Sequence, residues 1–382
     1  MAQTTEERKA DLGKVLVIGG NGFLGHHIVK LLLTSWVATV SVIDLKCVRN
    51  RLDGPSYHEA DITDAAAVQS IFDEVRPDIV IHTASPAPQA EGKIANALFQ
   101  KVNVEGTKAI VDACLKSGVK ALVYTSSASV MSDNKSDLRN ATEEFPIIRG
   151  VHQTEYYSET KAEAEDIVLK ANRTGSHNLL TAAIRPAGIF GEGDTMTLRH
   201  MIQVYIDGRT NVQVGDNNNL FDFTYVVNVA HAHLLAALRL LATHRLIPTI
   251  PLDTERVDGE AFIITNDSPV YFWDFARAIW KAAGNDKGLE GVWKLPTDVG
   301  IFLGLLSEIA FGIIGKPPTF NRQRIIYSSM TRYYNISKAK QRLAYRPIVP
   351  LGEGIERGVK WCLETNKELG AAVAALKKNK AQ

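Results

Sequence analysis

Tyr157 and Lys161 stand four residues apart in Tyr157-Ser158-Glu159-Thr160-Lys161, a stretch whose pattern predicts a helix, so a phenol and an ammonium share one face. A free phenol, with a pKa of about 10, is a poor base at neutral pH, and a neighbouring cation favours the phenolate. The pair therefore reads as a general acid/base and its electrostatic partner. Tyr156 is the rival phenol, but four residues on it meets Thr160. A bare Tyr-x-x-x-Lys also arises as a solvated helix pair. Here it follows Tyr124-Thr125-Ser126-Ser127, whose hydroxyls end a predicted strand on the side where open α/β sheets bind ligands.

A second motif, Gly19-Gly20-Asn21-Gly22-Phe23-Leu24-Gly25, follows an apolar strand and opens an apolar helix. That context offers backbone N–H groups and a helix N-terminus to a pyrophosphate, which makes Gly19, Gly22, Phe23, Leu24 and Gly25 candidate cofactor-binding residues. Asp44 ends the second predicted strand, where an acid accepts from an adenosine ribose and repels a 2′-phosphate. This favours NAD, while Lys46, Arg49 and Arg51 keep NADP open. His26-His27 and His231/His233 lack the spacing of helical metal pairs, so no metal is expected.

The elements that must position these groups form an α/β pattern. From Lys14 to about Ile184, short β-branched runs alternate with amphipathic helical stretches, which predicts a doubly wound parallel Rossmann sheet covered on both faces. Strands are expected at Lys14 to Ile18, Thr39 to Ile43, Asp78 to Ile81, Lys120 to Tyr124 and Leu179 to Ile184. Helices are expected from Phe23, from Asp64, across Leu98 to Lys116 and over Glu155 to Asn172. The nucleotide-binding domain is placed at 12–190, and 191–382 is expected to be mainly a smaller substrate-binding α/β region. Phe221 to Val226 and Ala261 to Thr265 are candidates to return to the sheet. Val299 to Gly315 is an apolar run too short and interrupted for a clean span. Its stripe Val299, Phe302, Leu306, Ile309 and Ile313 implies burial in protein or in lipid. Glu308 within it is expected to snorkel, cap or pair.

With 382 residues, 45% apolar and 22% charged, the chain can bury a large core. Its formal charge of +1 gives no field for a nucleic-acid backbone. Cys47, Cys114 and Cys362 have neither disulfide nor zinc spacing, which fits a reducing compartment. Met1 to Asp11 is polar and carries no secretory h-region.

The glycine turn, Ser126-Ser127, Tyr157-x-x-x-Lys161 and Arg185-Pro186-Ala187-Gly188-Ile189-Phe190-Gly191 together resemble the extended short-chain dehydrogenase/reductases. Ile81-His82-Thr83-Ala84-Ser85-Pro86, Val123 to Val130 and Arg332-Tyr333-Tyr334-Asn335 look like the 3β-hydroxysteroid dehydrogenase branch. Leu220 to Val226 and Asn266 to Phe275 are similar to its fungal decarboxylating sterol-4-alpha-carboxylate dehydrogenases. The resemblance implies Tyr157, Lys161 and Ser127 as catalytic residues, with Ser126 the fallback. It implies Asp61-Ile62 at the adenine, and His82, Ala84, Asn103, Pro186 and Ile189 around the cofactor. One departure is Ile18, where many members have Thr. The implied activity is NAD(P)-dependent oxidation of a sterol 3β-alcohol with loss of the 4-carboxylate. The implied setting is the cytoplasmic face of the endoplasmic reticulum membrane, beside other C4-demethylation enzymes, with a homodimer allowed. The alternatives are a dehydrogenase of another steroid or terpenoid alcohol, and a non-catalytic nucleotide sensor.

Overall fold

The computed structural model describes residues 9–87, 93–314 and 320–380. Seven strands, β1 (Asp11–Ile18), β2 (Val37–Asp44), β3 (Ser56–Glu59), β4 (Ile79–His82), β5 (Ala121–Thr125), β6 (Leu180–Pro186) and β7 (Glu260–Ile264), form one sheet in the order β3-β2-β1-β4-β5-β6-β7. Every pairing in it is parallel. Alternation within β1 sends Val15 and Val17 to one face and Leu16 and Ile18 to the other, and both faces are buried. Helices α1 (Phe23–Ser35) and α5 (Val226–His244) cover the first face. The second is covered by α2 (Ala65–Val75), α3 (Thr107–Lys116) and α4 (Tyr156–Lys170). The chain order reverses between β1 and β4, which opens the crevice where such sheets take ligands.

Three details depart from the sequence-based reading. The edge strand β3 was not anticipated, because Ser-Tyr-His-Glu carries no apolar run. The helix expected across Leu98 to Lys116 is a run in three parts, Lys93–Phe99, a wide π-turn Gln100–Gly106, and α3. Of the two segments proposed to return to the sheet, the second forms β7. Phe221 to Val226 does not: it makes two short strands, Leu220–Phe221 and Phe223–Tyr225, which pair with Val270–Tyr271, Arg332–Tyr334 and Gly188–Phe190. Asp222 separates them, and its carboxylate accepts from Tyr334 N at 2.8 Å.

A buried ion pair joins α4 to the sheet. Arg185 on β6 donates through Nε (2.9 Å) and Nη2 (2.5 Å) to the two carboxylate oxygens of Glu165, whose side chain is wholly enclosed. Leaving one partner of such a pair uncompensated costs about 3–5 kcal/mol. Glu165→Ala is therefore expected to lower stability by that order, read as a reduced midpoint in urea unfolding, with Glu165→Gln milder.

Candidate functional site

The glycine turn joins β1 to α1 and is closed by sterics. Gly19 has φ +80°, and a Cβ there would lie 2.8 Å from Ala84 N. A Cβ on Gly25 would lie 2.1 Å from Gly19 O. Gly22 caps α1 with no side-chain hydrogen bond, and the first turn holds no acid. The N–H groups at Phe23, Leu24 and Gly25 are thus presented by backbone alone, as a bound phosphate requires. Leu24 itself is buried, and Phe23 packs near Gly193. At Ile18, the one departure from the motif, the Thr83 hydroxyl donates to the backbone carbonyl at 2.9 Å.

Asp44 accepts from Asn21 N (3.0 Å) and Leu45 N (2.8 Å) at the end of β2. Of the three nearby cations, Lys46 pairs with Glu59 at 3.2 Å and the Arg51 guanidinium lies 4.4 Å from the Tyr57 ring centroid, while Arg49 is exposed. Asp61 sits just beyond β3, where Ala60 N bonds Asp44 O at 3.0 Å. Hydrogen bonds from Thr63 N and Oγ1 hold the Asp61 carboxyl below its usual range. Ile62 is buried against Gly106. His82 is fully enclosed and kept neutral by burial, its pKa lowered to about 3, with Nε2 on Thr107 Oγ1 at 3.0 Å. Its Nδ1 and Asn103 Oδ1 are buried without a hydrogen-bond partner among the described residues. Asn103 Nδ2 donates to Thr160 Oγ1 at 3.0 Å. Pro186 ends β6, and Ile189 is half-buried three residues after its end.

Tyr157 and Lys161 share the inner face of α4, but not in the arrangement their spacing suggested. Lys161 Nζ donates to Thr125 O at 2.5 Å and lies 4.5 Å from the Tyr124 ring centroid. Burial lowers its pKa to about 7, against the pull of Glu165. The Tyr157 phenol is pushed up to about 12 by burial; a Ser85 hydrogen bond opposes this and the Glu155 charge adds to it. Ser127 Oγ is half-buried after β5, 2.8 Å from Ser129 Oγ, and Ser158 Oγ donates to that same oxygen at 2.8 Å. The loop holding Ser127 is thereby tied to the turn of α4 that holds Tyr157. The fallback Ser126 is buried, its hydroxyl without a hydrogen-bond partner among the described residues. The histidines set aside as metal ligands have other partners: His27 Nε2 on Glu192 O at 2.7 Å, and His233 between Thr125 Oγ1 and Val229 O, each at 2.8 Å.

A wall unread from the sequence comes from the C-terminal segments. The Tyr327 ring lies 5.0 Å from that of Phe221, and its hydroxyl would be 4.0 Å from a Cβ on Gly188, just past the end of β6. Gln323 Nε2 donates to Glu155 Oε1 at 3.1 Å. Arg332, on the strand that pairs with Phe221, gives Nε to Tyr334 Oη at 2.8 Å and joins no ion pair among the described residues. Their separation from Tyr157 in sequence hid them.

Residues 16–297 match the model of the 3-beta hydroxysteroid dehydrogenase/isomerase family. The chain is 42% identical, over 94% of its length and 99% of the relative's, to the decarboxylating sterol-4-alpha-carboxylate 3-dehydrogenase of Schizosaccharomyces pombe. It is 34% identical to the human enzyme of the same name, over 94% of this chain and 93% of that one. Among solved structures it is similar to UDP-glucose 4-epimerase from Thermotoga maritima, with a TM-score of 0.66 and 22% identity over 92% of this chain and 99% of that one. A Thermus thermophilus epimerase complex with NAD gives a TM-score of 0.63, with 22% identity over 91% and 98%. Sequence, seven-stranded sheet and glycine turn agree: the chain belongs to the 3-beta hydroxysteroid dehydrogenase/isomerase family.

Proposed function

We propose that the protein oxidises the 3β-hydroxyl of a 4α-carboxysterol to the ketone and releases the 4-carboxylate as CO2, in the C4 demethylation of sterol biosynthesis. The observation that carries this reading is the near full-length similarity to decarboxylating sterol dehydrogenases, in a chain with Ser127, Tyr157 and Lys161 gathered at the carboxyl end of β5. The bare N-terminus of α1 and Asp44 fit a dinucleotide, and the engagement of Lys46 and Arg51 favours NAD. A nicotinamide bound there supplies the two-electron acceptor.

Tyr157 takes the proton of the 3β-hydroxyl, and Ser127 holds the oxygen. Lys161, with its pKa near neutrality, is the proton-holding group on the same helix face. Gly19, Gly22, Phe23, Leu24 and Gly25 bind the pyrophosphate by backbone, Asp44 the ribose, Asp61 and Ile62 the adenine side. His82, Ala84, Asn103, Pro186 and Ile189 line the remainder. Once the ketone exists at C3, the C4–carboxyl bond breaks with its electron pair passing into the ketone to give an enolate. A proton at C4 then restores the ketone, so CO2 release needs no residue of its own.

Arg332 is our candidate for the substrate carboxylate. Its guanidinium has its charged state favoured by Tyr334, Tyr327 and Glu155 in spite of burial, and the planar fork suits a carboxylate. The exposed stripe of α6 (Thr297–Ile314) is our candidate for membrane contact: Phe302 is 59%, Ile309 54% and Ile313 84% exposed. The alternative of a core helix does not describe this stripe. Glu308 pairs with Arg322 at 2.8 Å instead of facing lipid. The part of the run at Gly315 lies outside the described residues. Only α5, among the described residues, is long and apolar enough to cross a bilayer, and two-thirds of it is buried in the protein. We therefore favour monotopic attachment at the cytoplasmic face of the endoplasmic reticulum.

With a 4-carboxysterol labelled at the acid carbon, label should be released only with NAD or NADP and in step with reduced cofactor. Tyr157→Phe should abolish both by about 10²- to 10⁴-fold while keeping NAD affinity. Label release without nicotinamide would overturn the mechanism. Arg332→Met should raise KM for the carboxysterol by about tenfold or more, and leave KM for a 3β-hydroxysterol lacking the acid nearly unchanged; equal effects on both substrates would remove Arg332 from that role. Phe302→Glu with Ile309→Glu should move the protein from liposomes to the supernatant in flotation assays. A native protein that never floats would sink the membrane reading.

A further inference from the structure

The Ser127 hydroxyl is the end of a chain of three. Ser127 Oγ lies 2.8 Å from Ser129 Oγ and accepts from Ser129 N at 3.1 Å. Ser158 Oγ lies 2.8 Å from Ser129 Oγ and 3.4 Å from Glu155 Oε2. Each hydroxyl has one proton to give and two lone pairs, so the chain can run in only two directions. The Ser158 proton goes to the acceptor at 2.8 Å, because a contact of 3.4 Å is long for an O–H donor. Glu155 is served on its other oxygen by Gln323 at 3.1 Å.

The remaining protons follow by count. Ser129, accepting from Ser158, passes its own proton to Ser127. Ser127 Oγ then accepts twice, from Ser129 N–H and from Ser129 O–H, and both its lone pairs are filled. Only its proton remains to offer, and it has no other partner among the described residues. Were the chain reversed toward Glu155, Ser127 would spend that proton on Ser129 and meet the substrate with a lone pair. A ketone oxygen has no proton to give it. Ser158 is wholly buried, so water is a poor substitute for its hydroxyl.

We propose that Ser158, acting through Ser129, is a positioning residue that makes Ser127 an obligate hydrogen-bond donor to the substrate oxygen. The inference rests on the reading above that Ser127 holds that oxygen. Its action is rotation of hydroxyls, with no bond made or broken.

The test uses the full-length protein with NAD and a 4α-carboxysterol. Ser127→Ala should lower kcat by about 10²- to 10³-fold, as loss of an oxyanion donor does. Ser158→Ala should lower kcat by about five- to tenfold, the worth of one neutral hydrogen bond, with KM for the sterol little changed. The decisive variant is Ser127→Ala with Ser158→Ala, expected to be no slower than Ser127→Ala alone, since a positioning residue has nothing left to position. Ser158→Cys, which keeps a weak donor, should recover part of the loss. Wild-type kcat in Ser158→Ala, or losses that multiply in the double variant, would overturn the proposal. Should Ser158→Ala fail to fold, the half-buried Ser129→Ala runs the same cycle with the same expected and overturning results. A wild-type kcat in Ser127→Ala is a separate outcome: it removes Ser127 from the reaction and takes the relay with it, while label release still reports on the function.

Discussion

The contact between Arg185 and Glu165 fixes α4, the helix of Tyr157 and Lys161, against the seven-stranded sheet. Tyr157, Lys161 and Glu165 follow one another at four-residue intervals along α4, so one inward face holds all three. Arg185 immediately precedes Pro186 at the end of β6. Pinning Glu165 there sets both the rotation and the height of α4, and with them the depth of the phenol and the amine. A buried ion pair of this kind adds little net stability, since desolvation consumes most of its attraction. Its value is registry. The negative charge of Glu165 also opposes the effect of burial on Lys161, so the same carboxylate orients the helix and favours the protonated amine.

The site is completed from the far end of the chain. Asn219 Nδ2 holds the Ser328 and Met330 carbonyls at 3.2 and 2.9 Å, and Phe221, Phe272 and Tyr327 pack edge to face. These contacts seat Tyr327 beside Gly188, just past the end of β6, and Arg332 beside Phe221. In the proposed reaction the charge of Arg332 and the Tyr327 ring come from the C-terminal segments, while the proton chemistry comes from Tyr157 on α4.

What could be read from the sequence was local or periodic. β1, β2, β4, β5 and β6 are continuous apolar runs, and the glycine turn and Tyr-x-x-x-Lys are set by short spacings, so each declares itself within a few residues. β3 is an exposed edge strand and sends no such signal. Phe221 to Val226 looked like one buried strand because its aromatics mask Asp222, whose carboxylate accepts from Tyr334 N more than a hundred residues later. Lys161 was legible as a residue but not as a geometry: no spacing rule says that its amine prefers the Thr125 carbonyl. The same limit hid the Ser127, Ser129 and Ser158 chain, in which hydroxyls from two elements meet only in three dimensions.

The clash built into the glycine turn has an evolutionary side. Every single-base change that converts a glycine codon to another amino acid adds a Cβ, and at Gly25 that atom would arrive 2.1 Å from Gly19 O. Each mutational step away from this residue therefore begins with displacement of the turn itself, with no small intermediate to soften it. Drift can rewrite the walls of the substrate region one side chain at a time, but this corner allows no gradual path. A lineage that changes what it oxidises can do so around a fixed nucleotide corner, which is how one turn comes to serve many substrates.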